Sequence, residues 1–195
     1  MWIIVVWIMI VFIILGLILV ISISWPIFVG APWVPTSMKL VQKMLEMAEV
    51  GPEDVVYDLG CGDGRTVFMA ARVYKARAVG IEIDPLRYLW CQMMVTLLGL
   101  RKRVTIKYGN FFSQDLSEAT VVTCYLLPET NKKLEDKFHR ELSPGTRVVS
   151  NAFLFHSVPL SDRNGDIRLY RFGGKSPKDS IDLSVKDISV LRSRS

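Results

Sequence analysis

The sequence predicts an α/β protein: a Rossmann-like sheet with helices on both faces, preceded by one N-terminal transmembrane helix. Three observations carry this reading. Strand-like and helix-like segments alternate between residues 55 and 150, glycines 60, 62 and 64 cluster where the first strand meets its helix, and the first 21 residues are almost wholly apolar. Alternation of this kind favours a parallel sheet covered by helices. A chain of 195 residues holds one α/β core plus an appendage, not two full domains. The expected layout is an anchor over 1–25, a linker over 26–35, one folded domain over 36–174 and a polar tail over 175–195.

Every residue from Trp2 to Ile21 is apolar except Gly16, and the first charged residue is Lys39. About 20 helical residues rise roughly 30 Å, the thickness of a bilayer's hydrocarbon core. A cleaved signal peptide is the competing reading, with Ser22-Ile23-Ser24 as its cleavage pattern. The missing basic leader and the long apolar run argue against it. All lysines and arginines follow the span, so the positive-inside bias puts the body on the cytoplasmic side, or the matrix side in a mitochondrion. Trp25 and Trp33 would then lie near the interface or pack internally.

Pro26 to Pro35 reads as a linker with three prolines. Thr36 or Ser37 can cap a helix whose apolar residues Leu40, Val41, Met44, Leu45 and Ala48 recur at helical spacing, and Gly51-Pro52 stops it. Val55 to Tyr57 is a buried strand, followed by the glycine cluster and a helix from Arg65 to Lys75. Ala78 to Ile83 is the next strand, and Asp84-Pro85 opens a helix through Leu98. Val104 to Tyr108, Thr120 to Tyr125 and Arg147 to Ser150 supply three more strands, with a helix over 129–142 between the last two. Ile167 to Phe172 alternates and is expected to pair as a hairpin with the Phe155 to Leu160 region across Arg163-Asn164-Gly165. After Lys175 the chain turns polar, though Ile181, Leu183, Val185 and Ile188 leave room for a strand.

The net charge of +5 falls on the body. It suits an anionic membrane face, an acidic partner or plain solubility, and no run resembles a nucleic-acid-binding stripe. Cys61, Cys91 and Cys124 are scattered, with only His139 and His156 as nitrogen partners. Neither a disulfide framework nor a metal site is expected from that spacing.

In an open parallel sheet, ligands bind beyond the carboxyl ends of the strands. Asp58 places a carboxylate at the first such end, where Gly60 and Gly62 admit a close backbone approach. The carboxylate suits a ligand with a cationic amino group. Nicotinamide dinucleotides call for a third glycine where Arg65 stands, and no Gly-Lys-Ser/Thr run marks a P-loop. Glu82 ends the second strand, 24 positions after Asp58, near the spacing at which a carboxylate accepts from ribose hydroxyls. Gly109-Asn110-Phe111-Phe112 ends the third, where an amide can read an adenine edge and a ring can cover its face. Tyr125-Leu126-Leu127-Pro128 ends the fourth. It lacks the Asn/Asp-Pro-Pro-aromatic motif of many nucleic-acid and glutamine N-methyltransferases, which counts against a base or amide substrate.

Together, Val34-Pro35-Thr36-Ser37, Asp58 through Arg65, Gly109 through Phe112, Tyr125-Leu126-Leu127 and Pro144 through Ser150 make residues 32–172 resemble the small archaeal protein lysine methyltransferases. They are also similar to the mitochondrial enzymes that modify lysines of membrane proteins. The glycine loop is common to class I methyltransferases; the Val-Pro-Thr and Pro-Gly-Thr-Arg-Val-Val-Ser segments are more specific. The resemblance implies a seven-stranded methyltransferase sheet, S-adenosyl-L-methionine as cofactor and lysine ε-amines of proteins as acceptors. An apolar segment ahead of the domain, as in the mitochondrial members, turns the expected partners toward membrane proteins.

The expected cofactor contacts are Thr36, Tyr57, Asp58, Gly60, Cys61, Gly62, Glu82, Asn110 and Phe111. Closure of Thr36 over the cofactor is what the resemblance implies, with helix capping as its other reading. Tyr125, Ser150, Asn151 and Phe153 are the candidates for a channel that holds the acceptor lysine. Attack on a sulfonium methyl needs alignment and a neutral amine, not a metal or a covalent nucleophile. A methyltransferase of membrane lipids or quinones, and a non-catalytic cofactor-binding scaffold, are the alternatives.

Overall fold

The computed structural model describes the backbone of residues 2–29 and 34–172, with side chains for residues 2–18, 20 and 34–172. The first helix, α1, covers Trp2–Val29 and so runs past the expected anchor boundary at residue 25. Its large described side chains are all exposed, from 38% at Ile10 to 83% at Trp2. Among the described residues no helix is long and apolar enough to cross a membrane. The transmembrane span expected over 2–21 is therefore not established by the fold. The roles expected of the Trp25 and Trp33 side chains, and the tail after Lys175, lie outside the described residues.

The body follows the predicted alternation. Ser37 caps α2 (Met38–Met47), its hydroxyl accepting from the Leu40 amide at 3.3 Å. Val41, Met44 and Leu45 are the residues this helix buries. Then come β1 (Val55–Leu59), α3 (Arg65–Arg72), β2 (Arg77–Glu82), α4 (Pro85–Leu97), β3 (Val104–Tyr108), β4 (Val121–Cys124), α5 (Pro128–Glu141), β5 (Thr146–Asn151), β6 (Leu160–Asn164) and β7 (Ile167–Phe172). Asp84 caps α4 by accepting from the Arg87 amide at 2.8 Å, with Pro85 in the first turn where its missing N–H costs nothing.

The seven strands run in the order β3-β2-β1-β4-β5-β7-β6. The first five are parallel, and β7 lies antiparallel between β5 and β6. One core packs α2, α3 and α4 through Leu45, Val67 and Val95 onto Val56, Ala78 and Ile106. The other packs α5 through Leu134 and Phe138 onto Tyr57, Ile81 and Val148. The strand order reverses between β1 and β4, the switch point at which open α/β sheets hold ligands.

The hairpin departs from the sequence reading. The partner of β7 is Leu160–Asn164, not the Phe155 to Leu160 region. Phe155 is buried against Phe138, Tyr170 and Phe172. The backbone around it is satisfied by side chains: Phe155 N–H donates to the Tyr170 hydroxyl, and the Glu135 carboxylate accepts from His156 and Ser157. Backbone amides need partners, and here side chains of β7 and α5 supply them in place of a neighbouring strand.

Candidate active site

A cleft of about 950 Å³, counted to its open mouth, lies across the carboxyl ends of β1, β2 and β4. Asp58, Gly60, Cys61, Gly62 and Glu82 form its floor, Asn110 and Phe111 one side, and Thr36 and Tyr125 the rim. The fold thus brings together nine of the residues read from the sequence.

Asp58 is the most perturbed acid of the cleft. It sits opposite Thr123 in the β1–β4 register, and its Oδ1 accepts from the Thr123 hydroxyl at 2.7 Å. Burial, opposed by hydrogen bonds from Thr123 and Thr66 and reinforced by Glu82 and Asp63, raises its pKa to about 7. A buried carboxylate with acidic neighbours suits a cationic ligand.

The glycine loop is held by β2. Gly60 and Cys61 donate to the Ile81 carbonyl, and Gly62 N–H donates to Glu82 Oε2 at 2.7 Å. Gly62 has φ of 59°, a left-handed conformation that glycine adopts without strain. On β2, a Cβ added to Gly80 would meet Cys61 Sγ at 2.7 Å, so the loop rests directly on bare backbone. Glu82 Oε1 accepts from Ile83 and Asp84 at 3.0 and 2.9 Å. These bonds fill one oxygen and leave Oε2 a lone pair for a hydroxyl at the cleft. Burial raises the Glu82 pKa in spite of these bonds.

Asn110 caps a short 3-10 turn over Phe111–Ser113, its side chain accepting from Phe112 N–H at 2.9 Å. Its acceptor is thus engaged locally, and the amide NH₂ is the end suited to reading a base edge. Hydrogen bonding to Cys91 and burial push the Cys61 thiol well above its ordinary pKa, and burial pushes Cys124 up to about 12. Both thiols are neutral spacers, not nucleophiles.

Two groups of residues fall elsewhere. Tyr57 does not line the cleft: strand alternation turns its ring to the α5 face, where Lys107 Nζ stands 5.5 Å from the ring centroid. Ser150, Asn151 and Phe153 lie beside the cleft at the end of β5. Ser150 is fully buried and donates to the Phe153 carbonyl at 2.7 Å, while Asn131 of α5 donates to Ser150 at 3.2 Å. The Phe153 ring stacks on Tyr125 at 6.4 Å, so an aromatic wall stands where β4 and β5 end.

Sequence reasoning missed Thr66, Thr123, Asn131 and the Asp63–Arg65 pair. Arg65 counted only as a bar to dinucleotides. In the fold its guanidinium donates to the Asp63 carboxylate as an ion pair, and its Nη1 donates to the Thr36 carbonyl, tying the segment before α2 over the cleft. An Asp-Gly-Arg run after the glycines was the available signal. Among the described residues no group of three His, Cys, Asp or Glu side chains is placed to hold a metal.

A carboxylate suited to an ammonium, another suited to ribose hydroxyls and an amide suited to a base edge line this one cleft, and fold and site together are those of a class I S-adenosylmethionine-dependent methyltransferase. A solved RNA methyltransferase from Salinibacter ruber, in complex with S-adenosyl-L-homocysteine, is 45% identical and superposes with a TM-score of 0.64 over 71% of this chain and 92% of that one. More narrowly, residues 58–161 match the family model described as the ANTKMT methyltransferase domain, and the chain belongs to that family. A protein-lysine N-methyltransferase of Saccharolobus islandicus (strain REY15A) is 49% identical over 123 residues, 63% of this chain and 76% of its own length. The adenine nucleotide translocase lysine N-methyltransferase of Mus musculus is 30% identical over 128 residues, 66% of this chain and 56% of its own. The chain thus spans little more than half of that mouse relative.

Proposed function

We propose that the chain transfers methyl groups to lysine ε-amines of proteins, membrane proteins among them, with α1 holding the domain on the cytoplasmic or matrix face of a membrane. The observation that carries the acceptor is the Tyr125–Phe153 wall beside the cofactor cleft. Bound S-adenosylmethionine supplies an electrophilic methyl on a sulfonium. The chain must then align a neutral amine with it. About 0.04% of a free lysine is neutral at pH 7. Tyr125 and Phe153 flank the aliphatic stem, exclude water from the ammonium and so favour loss of its proton. The Asn131–Ser150–Phe153 hydrogen bonds hold that ring in place. Asp58 receives the cofactor's ammonium and Glu82 its ribose.

The anchor reading rests on an N-terminal helix that is uncharged and whose described large side chains are all exposed. The likeness to the Salinibacter ruber RNA methyltransferase favours a second reading, an RNA acceptor. The end of β4, Tyr125-Leu126-Leu127-Pro128, weighs against it, because it lacks the motif that grips a base or amide nitrogen in many such enzymes. The deciding experiment incubates the full chain with methyl-labelled cofactor and separate membrane-protein, soluble-protein, RNA and lipid fractions, with Asp58→Ala as control. Label on protein lysines is expected. Label confined to RNA or lipid overturns the lysine reading.

A further inference from the structure

Helix α4 is apolar on its outward face as well as on the face that buries Cys91 and Val95 against the sheet. Its outward side chains Leu86, Leu89, Trp90, Met93 and Leu97 are 42%, 60%, 48%, 46% and 70% exposed. At 100° per residue they fall in one stripe along the 13-residue helix. The polar Gln92 instead turns toward the sheet, donating to the Ile106 carbonyl at 3.2 Å. Scattered exposed leucines need no explanation, but a continuous stripe over about 20 Å of helix marks a contact surface.

Charge identifies what the surface meets. Residues 63–115, which build α3, β2, α4 and β3, hold nine lysines and arginines against four acids: Glu82 and Asp84 are buried, Asp63 pairs with Arg65, and Asp115 lies beyond β3 beside Lys107. Exposed Arg101, Lys102 and Arg103 follow α4 after the turn Leu98-Gly99-Leu100. Arg103 donates to the Lys75 carbonyl and Lys75 to that of Arg72, so a second pair of cations joins the same edge. An apolar stripe containing tryptophan, bordered by cations and with no exposed acid between residues 64 and 114, matches the acyl boundary and headgroups of an anionic bilayer. Nucleic acid would leave the leucines in water.

We infer that α4 is an interfacial helix that lies on an anionic membrane surface through Leu86, Leu89, Trp90, Met93 and Leu97, with the Arg101–Arg103 cluster on the headgroups. This extends the anchoring proposed for α1 but does not require α1 to span. The helix begins at the cleft, where Arg87 lines the site. Docking therefore brings the cleft to the membrane surface, within reach of lysines close to the bilayer.

The test uses the full chain on phosphatidylcholine vesicles with and without phosphatidylglycerol. A nitroxide is placed at Met93→Cys or, on the exposed β6 edge, at Asp162→Cys; the native cysteines are buried. With phosphatidylglycerol, the label at 93 is expected to be shielded from a water-soluble relaxant and accessible to oxygen, while that at 162 stays aqueous. Lys102→Gln should lower the membrane-bound to aqueous ratio at 93 about fivefold. Labels at 93 and 162 that are equally aqueous on vesicle-bound protein overturn the inference. So does shielding at 93 without vesicles, the signature of a second copy of the chain. Failure of the α1 reading is seen separately, as release of the chain from pure phosphatidylcholine vesicles by alkaline carbonate.

Discussion

Replacing Asp58 by asparagine keeps the side chain's shape and its acceptor for Thr123 while deleting the charge. In the free protein the carboxyl titrates near 7 because of burial, against 3.8 as the ordinary value. The native state therefore binds the proton more tightly than the unfolded chain does. The associated stability is present in full below about pH 4, is lost as the pH rises toward 7, and is flat beyond. The shift of 7 − 3.8, about 3 units, corresponds to about 4 kcal/mol. Roughly 3 kcal/mol of that falls between pH 5 and 8, or some 10 °C in Tm for a domain of this size. The Asn variant should lose this component, so its Tm should gain on that of the wild type as the pH rises. Cofactor binding should move the opposite way. Wild-type affinity for S-adenosylhomocysteine should fall about tenfold per unit below pH 7, as protonation removes the partner of the ligand's ammonium. The variant should show weak, pH-independent binding. Scanning calorimetry from pH 5 to 8, with and without the ligand, reads both effects. Parallel Tm curves for the two proteins would refute the buried carboxyl. An unchanged ligand-induced rise in Tm in the variant would refute its role at the ammonium.

Three further outcomes follow from the same geometry. Thr123→Val removes a hydrogen bond that favours the ionised Asp58, so the pH midpoint for cofactor binding, measured by titration calorimetry, should rise above 7. Glu82→Gln puts an NH₂ group against the Gly62 or the Ile83 and Asp84 amides. It should lower stability by about 1–3 kcal/mol and weaken cofactor binding more than tenfold, whereas retained binding would remove Glu82 from the ribose site. Phe153→Ala opens the aromatic wall and should raise KM for a protein acceptor severalfold in a labelled-methyl assay, with the cofactor's thermal shift unchanged.

Local chemistry made much of this protein legible from its sequence. The Ser37 and Asp84 caps, the strand ends at Asp58 and Glu82, and the glycine loop each depend on neighbours within a few residues. Hydrophobic period and turn residues report such features directly. The residues that line the cleft at the strand ends were therefore readable, because open α/β sheets place their clefts there. Tyr57 was misplaced by treating adjacency to Asp58 as proximity, although a strand sends neighbouring side chains to opposite faces.

The remaining features depended on contacts distant in sequence. Thr123 reaches Asp58 across 65 positions, and Arg65 reaches Thr36 across 29. Asn131 braces the Phe153 segment from another helix. The Phe155 segment alternates like a strand, but its amides are taken by Glu135 and Tyr170, so β6 begins later. On α4, the apolar period is helical whichever side faces the sheet. By itself, then, the sequence determined the methyltransferase sheet and its cofactor loop, whose signals are local. Only the tertiary structure decided which groups raise the pKa of Asp58 and which face of α4 is left outward, because burial and charge coupling depend on distances that sequence separation does not encode.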